Sequence, residues 1–175
     1  SAQRPWRHFE EPVWGIALDP TGDQLAVGTP GYLSLYNVRR KRPLWQSRVK
    51  KRPGRVLFSP DGRLVVVHQP GTSELFKATT GKRVKRLRAD IIAVSTAGQA
   101  MAVVHRNKVR LFDLFTLKST DRHPVPALSS LALNVTARLL ALATPQNALE
   151  IWYIQTGHRL GVLSKVMLGL SGHGD

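Results

Sequence analysis

The residues with the clearest capacity for chemistry are cations. Sixteen of the 26 Lys and Arg lie between residues 39 and 88, where the only acids are Asp61 and Glu74. They form three clusters: Arg39, Arg40, Lys41 and Arg42; Lys50, Lys51 and Arg52; and Lys82, Arg83, Lys85, Arg86 and Arg88. Outside that window ten cations nearly cancel nine acids. Dense cations neutralise phosphates and release their counterions, which suits an RNA or DNA backbone. An acidic protein surface answers the same charge. Trp6 and Trp45 are the candidate interface aromatics, able to stack on a base or to anchor a protein contact.

Reactive groupings are not found. Asp19, Asp23 and Asp61 sit in turn sequences, where Asp bonds its own backbone. The six histidines show no metal-binding spacing such as His-Glu-x-x-His. His68 and His105 invite pairing, but the repeat described below aligns His68 with Val104 and His105 with Gln69. An offset of one residue turns a side chain to the other face of a strand. There is no Gly-x-x-x-x-Gly-Lys-Ser/Thr loop and no Gly-x-Ser-x-Gly. No cofactor, no metal site and no catalytic residue is expected, and the chain reads as a non-enzyme.

The whole chain has 175 residues, a net charge of +15 and a hydrophobic fraction of 42%. That is enough for one domain with its own core. There is no Cys, so disulfide frameworks, thiolate metal sites and Cys nucleophiles are excluded. No apolar run is long enough to span a membrane, and the first residues lack the apolar core of a secretion signal. The expected compartment is the cytoplasm, or the nucleus if the source is eukaryotic.

The elements that position the cations come from an internal repeat. Ile16-Ala17-Leu18-Asp19, Val56-Leu57-Phe58-Ser59, Ile92-Ala93-Val94-Ser95 and Leu131-Ala132-Leu133-Asn134 align as first strands. A short turn follows each. Leu25, Val65, Met101 and Leu140 then align, as do Val27, Val67, Val103 and Leu142, two residues on and therefore on one strand face. Third strands end at Leu35-Tyr36-Asn37, Leu75-Phe76-Lys77, Leu111-Phe112-Asp113 and Ile151-Trp152-Tyr153. Fourth runs are expected around 43–49, 82–88, 118–122 and 158–165. A period of about 40 residues with four strands per unit describes propeller blades.

On these residues the chain resembles the WD-repeat β-propeller family. Ser59-Pro60-Asp61-Gly62-Arg63-Leu64 is the most typical stretch. Leu111-Phe112-Asp113 and Ile151-Trp152 stand where the family carries its Trp-Asp pair. Only Asp113 keeps the Asp and only Trp152 keeps the Trp, and the one Gly-His pair is Gly172-His173. The buried Asp-His-Ser-Trp tetrad of the family is thus expected to be missing. The resemblance implies an all-β fold of four WD-like blades, at about 13–49, 54–88, 90–122 and 127–165. Residues 1–11 then form an outer strand and 166–175 a tail. It also implies a scaffold role in protein assemblies.

Four blades are few for such a ring. The expected solutions are a homodimer closing eight blades, a partner chain supplying further blades, or a strained four-blade closure. The basic clusters fall on outer strands and adjoining loops of the first two blades, so the charge is expected on a side wall and not in the channel. The partner is expected to be an acidic protein, with RNA or DNA as the alternative.

Overall fold

The computed structural model describes residues 9–50, 52–95, 97–119, 123–134, 138–146, 148–153 and 156–163. Sixteen strands form four antiparallel sheets, each a four-strand meander. The first holds β1 (Gly15–Leu18), β2 (Gln24–Thr29), β3 (Tyr32–Asn37) and β4 (Arg42–Arg48). The second holds β5 (Arg55–Phe58), β6 (Leu64–Gln69), β7 (Thr72–Lys77) and β8 (Arg83–Arg88). In the third are β9 (Ile91–Val94), β10 (Ala100–His105), β11 (Lys108–Asp113) and β12 (His123–Pro124). The fourth comprises β13 (Ser130–Leu133), β14 (Leu139–Ala143), β15 (Leu149–Tyr153) and β16 (His158–Leu163). The fold is an all-β propeller arc, as the repeat requires.

One turn chemistry ends every first strand. Asp19, Ser59, Ser95 and Asn134 occupy the same repeat position, and each uses a side-chain oxygen to hold the backbone that follows. Asp19 Oδ1 accepts from Gln24 N at 2.8 Å. Ser59 Oγ accepts from Leu64 N at 2.9 Å, Ser95 Oγ from Gly98 N at 3.0 Å, and Asn134 Oδ1 from Leu139 N at 2.9 Å. Ser59 Oγ also donates to Asp61 Oδ1 at 2.6 Å. These short polar side chains mimic a turn of backbone, so their types vary while the role repeats; three bond the N–H five residues on, and Ser95 bonds the one three residues on.

A second device recurs between the third and fourth strands. Lys41, Gly81, Leu117 and Gly157 align in the repeat, and all four adopt positive φ, at 50°, 69°, 58° and 68°. Each closes the turn into the outer strand. At Gly81 the packing also forbids a side chain: a Cβ there would meet the Trp45 ring at 2.7 Å.

Alternate strand residues fill the spaces between sheets. Leu33, Leu35, Val65, Val67 and Phe76 join the first sheet to the second. Leu75, Leu87, Ile92, Met101 and Phe112 join the second to the third. Leu111, Leu131, Leu140 and Leu142 join the third to the fourth. Burying each such side chain contributes about 1.5–3 kcal/mol, so these interfaces dominate the stability. No core cluster joins the fourth sheet back to the first, and the ring is open over the described residues. At one end of the arc Ile16 and Leu18 of β1 are 63% and 59% exposed. At the other end Leu149 is exposed.

The structure differs from the sequence expectation at the outer strand of the third sheet. Of the run expected at 118–122, Lys118 and Ser119 are described and carry one bridge, Phe112 to Ser119, and 120–122 lie outside the described residues; the outer strand is His123–Pro124, paired with Val109 and Lys108. The sequence Lys118-Ser119-Thr120-Asp121 lacks the apolar alternation that fixes a strand's register. Of the outer strand expected over 1–11, residues 9–11 carry no strand, and 1–8 lie outside the described residues. The tail at 166–175 lies outside them too.

Candidate functional site

The registers divide the basic residues between opposite ends of the sheets. Arg39, Arg40 and Lys41 form the β3–β4 turn and Arg42 opens β4. Lys50 and Arg52 follow the other end of β4, whose seven residues separate the two clusters by roughly 23 Å at about 3.3 Å per residue. In the second sheet, Lys82 and Arg83 lie at the β7–β8 turn, while Arg88 pairs in register with Thr72 at the far end of β8. The side wall expected from sequence is therefore two cationic surfaces, one at each end of the outer strands. Lys51 and Trp6 lie outside the described residues.

These cations differ in how they are held. Arg39 Nε makes an exposed ion pair with Asp23 at 2.8 Å, a contact that water and salt screen. Asn37 Oδ1 accepts from Arg40 N at 2.7 Å and fixes the turn that displays the cluster. Lys50 and Arg42 are exposed. The Arg52 guanidinium lies over the Trp14 ring, 2.9 Å from its centroid, a stacked cation–π contact. Lys85 Nζ is 5.6 Å from the Phe112 ring centroid.

Arg83 and Arg86 converge on Glu74, which is fully buried. Arg83 Nη1 donates to Glu74 Oε1 at 2.9 Å, and Arg86 Nε lies 3.6 Å from the same oxygen. The fourth sheet repeats the arrangement: Glu150 accepts from Trp152 Nε1 at 2.8 Å and lies 3.6 Å from Arg159 Nη1. The sequence holds the signal, a Glu followed nine positions later by an Arg at the same place in two repeats.

Trp45 is half-buried, and its Nε1 donates to Ala78 O at 2.7 Å across to the second sheet. Ser47 Oγ donates to Gly81 O at 2.6 Å beside it. The aromatic singled out as a surface candidate thus binds two sheets together.

Three further cations, missed because they lie outside the charged window, join this region in space. Arg106, Lys108 and Arg110 line a cleft opposite Arg86 and Arg88. Their signal was the alternation Lys108-x-Arg110, which sets two cations on one face of β11, with Arg106 at the hairpin tip just before it. Beside them Asp90 accepts from Arg106 N at 2.9 Å, with His105 Nδ1 at 3.2 Å. The Arg106 N–H, then the His105 contact, holds the Asp90 carboxyl below the usual carboxylate range.

Against the inner strands a hollow of about 580 Å³ is lined by Ile16, Leu18, Leu57, Phe58 and Val94, with Arg55 its one charged side chain. Among the described residues no group of three His, Asp or Glu is placed to hold a metal ion. No helix among them is long and apolar enough to cross a membrane.

No family model matches the chain, and no curated protein matches it in sequence. Among solved structures it is similar to U3-55K, with a TM-score of 0.72 at 11% identity, covering 91% of this chain and 54% of that one. It is equally similar to the WD40 repeats of RRP9, with a TM-score of 0.72 at 10% identity, covering 90% of this chain and 52% of that one. The chain thus spans about half the length of each. At such identity the likeness carries the fold, a WD40-type β-propeller, and nothing finer.

Proposed function

We propose that the chain is a non-catalytic WD-repeat scaffold that docks an acidic partner protein on its basic outer strands. The observation that carries this reading is the display of exposed cations on two rigid sheets. Arg39–Arg42 stand on a turn held by Asn37, with the Arg39–Asp23 pair as their one described ion pair. Rigid display lets charge complementarity set register and speed association. Of the two candidate stacking aromatics, Trp45 is engaged in tying two sheets together, and Trp6 lies outside the described residues. This favours protein over RNA.

The exposed Ile16 and Leu18 at one end of the arc, and Leu149 at the other, support further blades packing there from a second copy or another chain. Light scattering separates the two, since a second copy doubles the mass.

The test of the docking reading reverses the charge of Arg39, Arg40, Lys41 and Arg42 to Glu and measures partner capture with and without nuclease. Capture of a partner that survives nuclease and is lost on reversal is the expected result. Capture indifferent to the reversal sinks the reading. Capture abolished by nuclease, with a steep salt dependence, replaces protein by nucleic acid.

A further inference from the structure

Between the second and third sheets lies a cleft of about 430 Å³. Arg86 and Arg88 come from β8, and Arg106, Lys108 and Arg110 from the β10–β11 hairpin. Leu87 and Val103, both buried, form the apolar floor. An adjoining hollow of about 680 Å³ shares Arg86, Arg88 and Arg106 and continues to Gly71 and Thr72 at the β6–β7 turn.

Two departures from the repeat build this cleft. Arg110 occupies the repeat position that holds Glu74 in the second sheet and Glu150 in the fourth. That position carries an acid paired with an Arg in both neighbours, and in the third sheet it carries a cation facing the second. Arg106 occupies the hairpin tip where the first two sheets have Pro30 and Pro70. Both tip residues of this turn, Arg106 and Asn107, have positive φ, at 50° and 56°. Left-handed backbone is unfavourable for an arginine. Asp90 fixes the strained tip by accepting the Arg106 N–H.

The two nearby acids offset only part of this charge, since Arg86, Arg88, Arg106, Lys108 and Arg110 outnumber them. Glu74 is held by Arg83 and Arg86. Asp90 is engaged by the Arg106 backbone and His105. Arg88 and Lys108 make no ion pair among the described residues.

We propose that this cleft binds a phosphorylated side chain within an acidic peptide segment of a partner protein. A phosphate dianion offers three acceptor oxygens, which the forked donors of Arg88 and Arg106 and the ammonium of Lys108 match. The apolar floor receives an aliphatic side chain next to the phosphoresidue. Neither hollow is lined by Phe, Tyr or Trp, and the one ring that lines them, His105, is engaged with Asp90, which disfavours base stacking there. The inference rests on the docking reading above and adds the chemistry of the partner.

The test uses fluorescent acidic peptides carrying one phosphoserine followed by leucine, their unphosphorylated counterparts and a ten-nucleotide single-stranded RNA. The full chain is compared with R88A, R106G and K108A, glycine at 106 being chosen because it keeps the left-handed tip. Phosphopeptide affinity is expected to exceed that of the unphosphorylated peptide at least ten-fold, and to fall about ten-fold in each variant. K118A, an exposed cation outside the cleft, leaves it unchanged. Unaltered thermal midpoints show that the variants remain folded. Equal affinity for both peptides, indifference to all three variants, or cleft-dependent binding of the RNA alone overturns the proposal. Failure here with an intact effect of reversing Arg39–Arg42 leaves the docking reading standing, so the two fail separately.

Discussion

Arg83 reaches from the outer strand of the second sheet to Glu74 on the neighbouring strand, with Nη1 2.9 Å from an oxygen of a carboxylate that water does not touch. Arg159 and Glu150 stand in the same relation in the fourth sheet. The outer strand has little apolar surface with which to fix its position. A buried acid on the third strand gives its arginines one place to go, and so sets the register of an edge that hydrophobic packing leaves loose.

The pair is asymmetric, and so is the expected response to mutation. The arginine side chains remain about 42% and 41% exposed, while Glu74 is fully buried with Oε2 lacking any hydrogen-bond partner. Removing both cations, in R83A/R86A, leaves a buried carboxylate uncompensated and is expected to cost about 3–5 kcal/mol. Removing the charge instead, in E74Q, returns two half-exposed arginines to water and costs less. Urea denaturation of the two variants measures the difference. Equal losses would show that Glu74 does not depend on its partners.

The left-handed position before each outer strand gives a second prediction. Lys41 and Leu117 adopt there the conformation that Gly81 and Gly157 adopt without penalty. Lys41 is exposed, so its replacement disturbs little packing. Lys41→Gly is expected to gain about 1 kcal/mol, raising the thermal midpoint by about 2–4 °C in a chain of this size. Gly81→Ala is expected to lose more than that, since its Cβ meets the Trp45 ring as well as the φ penalty. Calorimetry of both variants checks the pair of signs.

These positions also show what could be read from sequence. The blades were legible because turn residues recur: Asp19, Ser59, Ser95 and Asn134 differ in type yet share a short polar side chain at a fixed phase. The outer strand of the third sheet was less so, because the sequence Lys118-Ser119-Thr120 has no apolar alternation to mark a strand. The cationic window at 39–88 was plain in composition. Its division between two ends depends on the direction of each strand, which composition does not encode. The approach of Arg106, Lys108 and Arg110 to Arg88 depends on packing between sheets, and the balanced charge of their own segment hides it.

Gln69 is fully buried, and neither atom of its amide has a hydrogen-bond partner. An unsatisfied buried polar group costs about 1–3 kcal/mol. Gln69→Met keeps the length of the side chain and removes both polar atoms, so the variant is expected to be more stable by about 1 kcal/mol. The urea midpoint reads the effect. A loss of stability would mean that the amide is satisfied in solution by bound water.

His68 supplies the pH dependence. Burial pushes its imidazole below the ordinary 6.5, against a rise from Asp90, while the charge of Arg55 adds to the depression. Its Nδ1 lies 2.9 Å from the buried Ser73 Oγ. A histidine with a depressed folded pKa binds fewer protons folded than unfolded, so stability rises with pH. The contribution is full above about pH 6.5 and is lost as pH falls through the lowered folded-state value. The other displaced groups, Asp19, Asp90 and Asp113, have values lowered below 3.8 and titrate in a more acid range. Unfolding free energies measured at pH 7.5, 6.5 and 5.5 should therefore fall with acidification, and His68→Gln should flatten the fall. An unchanged slope in the variant would assign the dependence to another group.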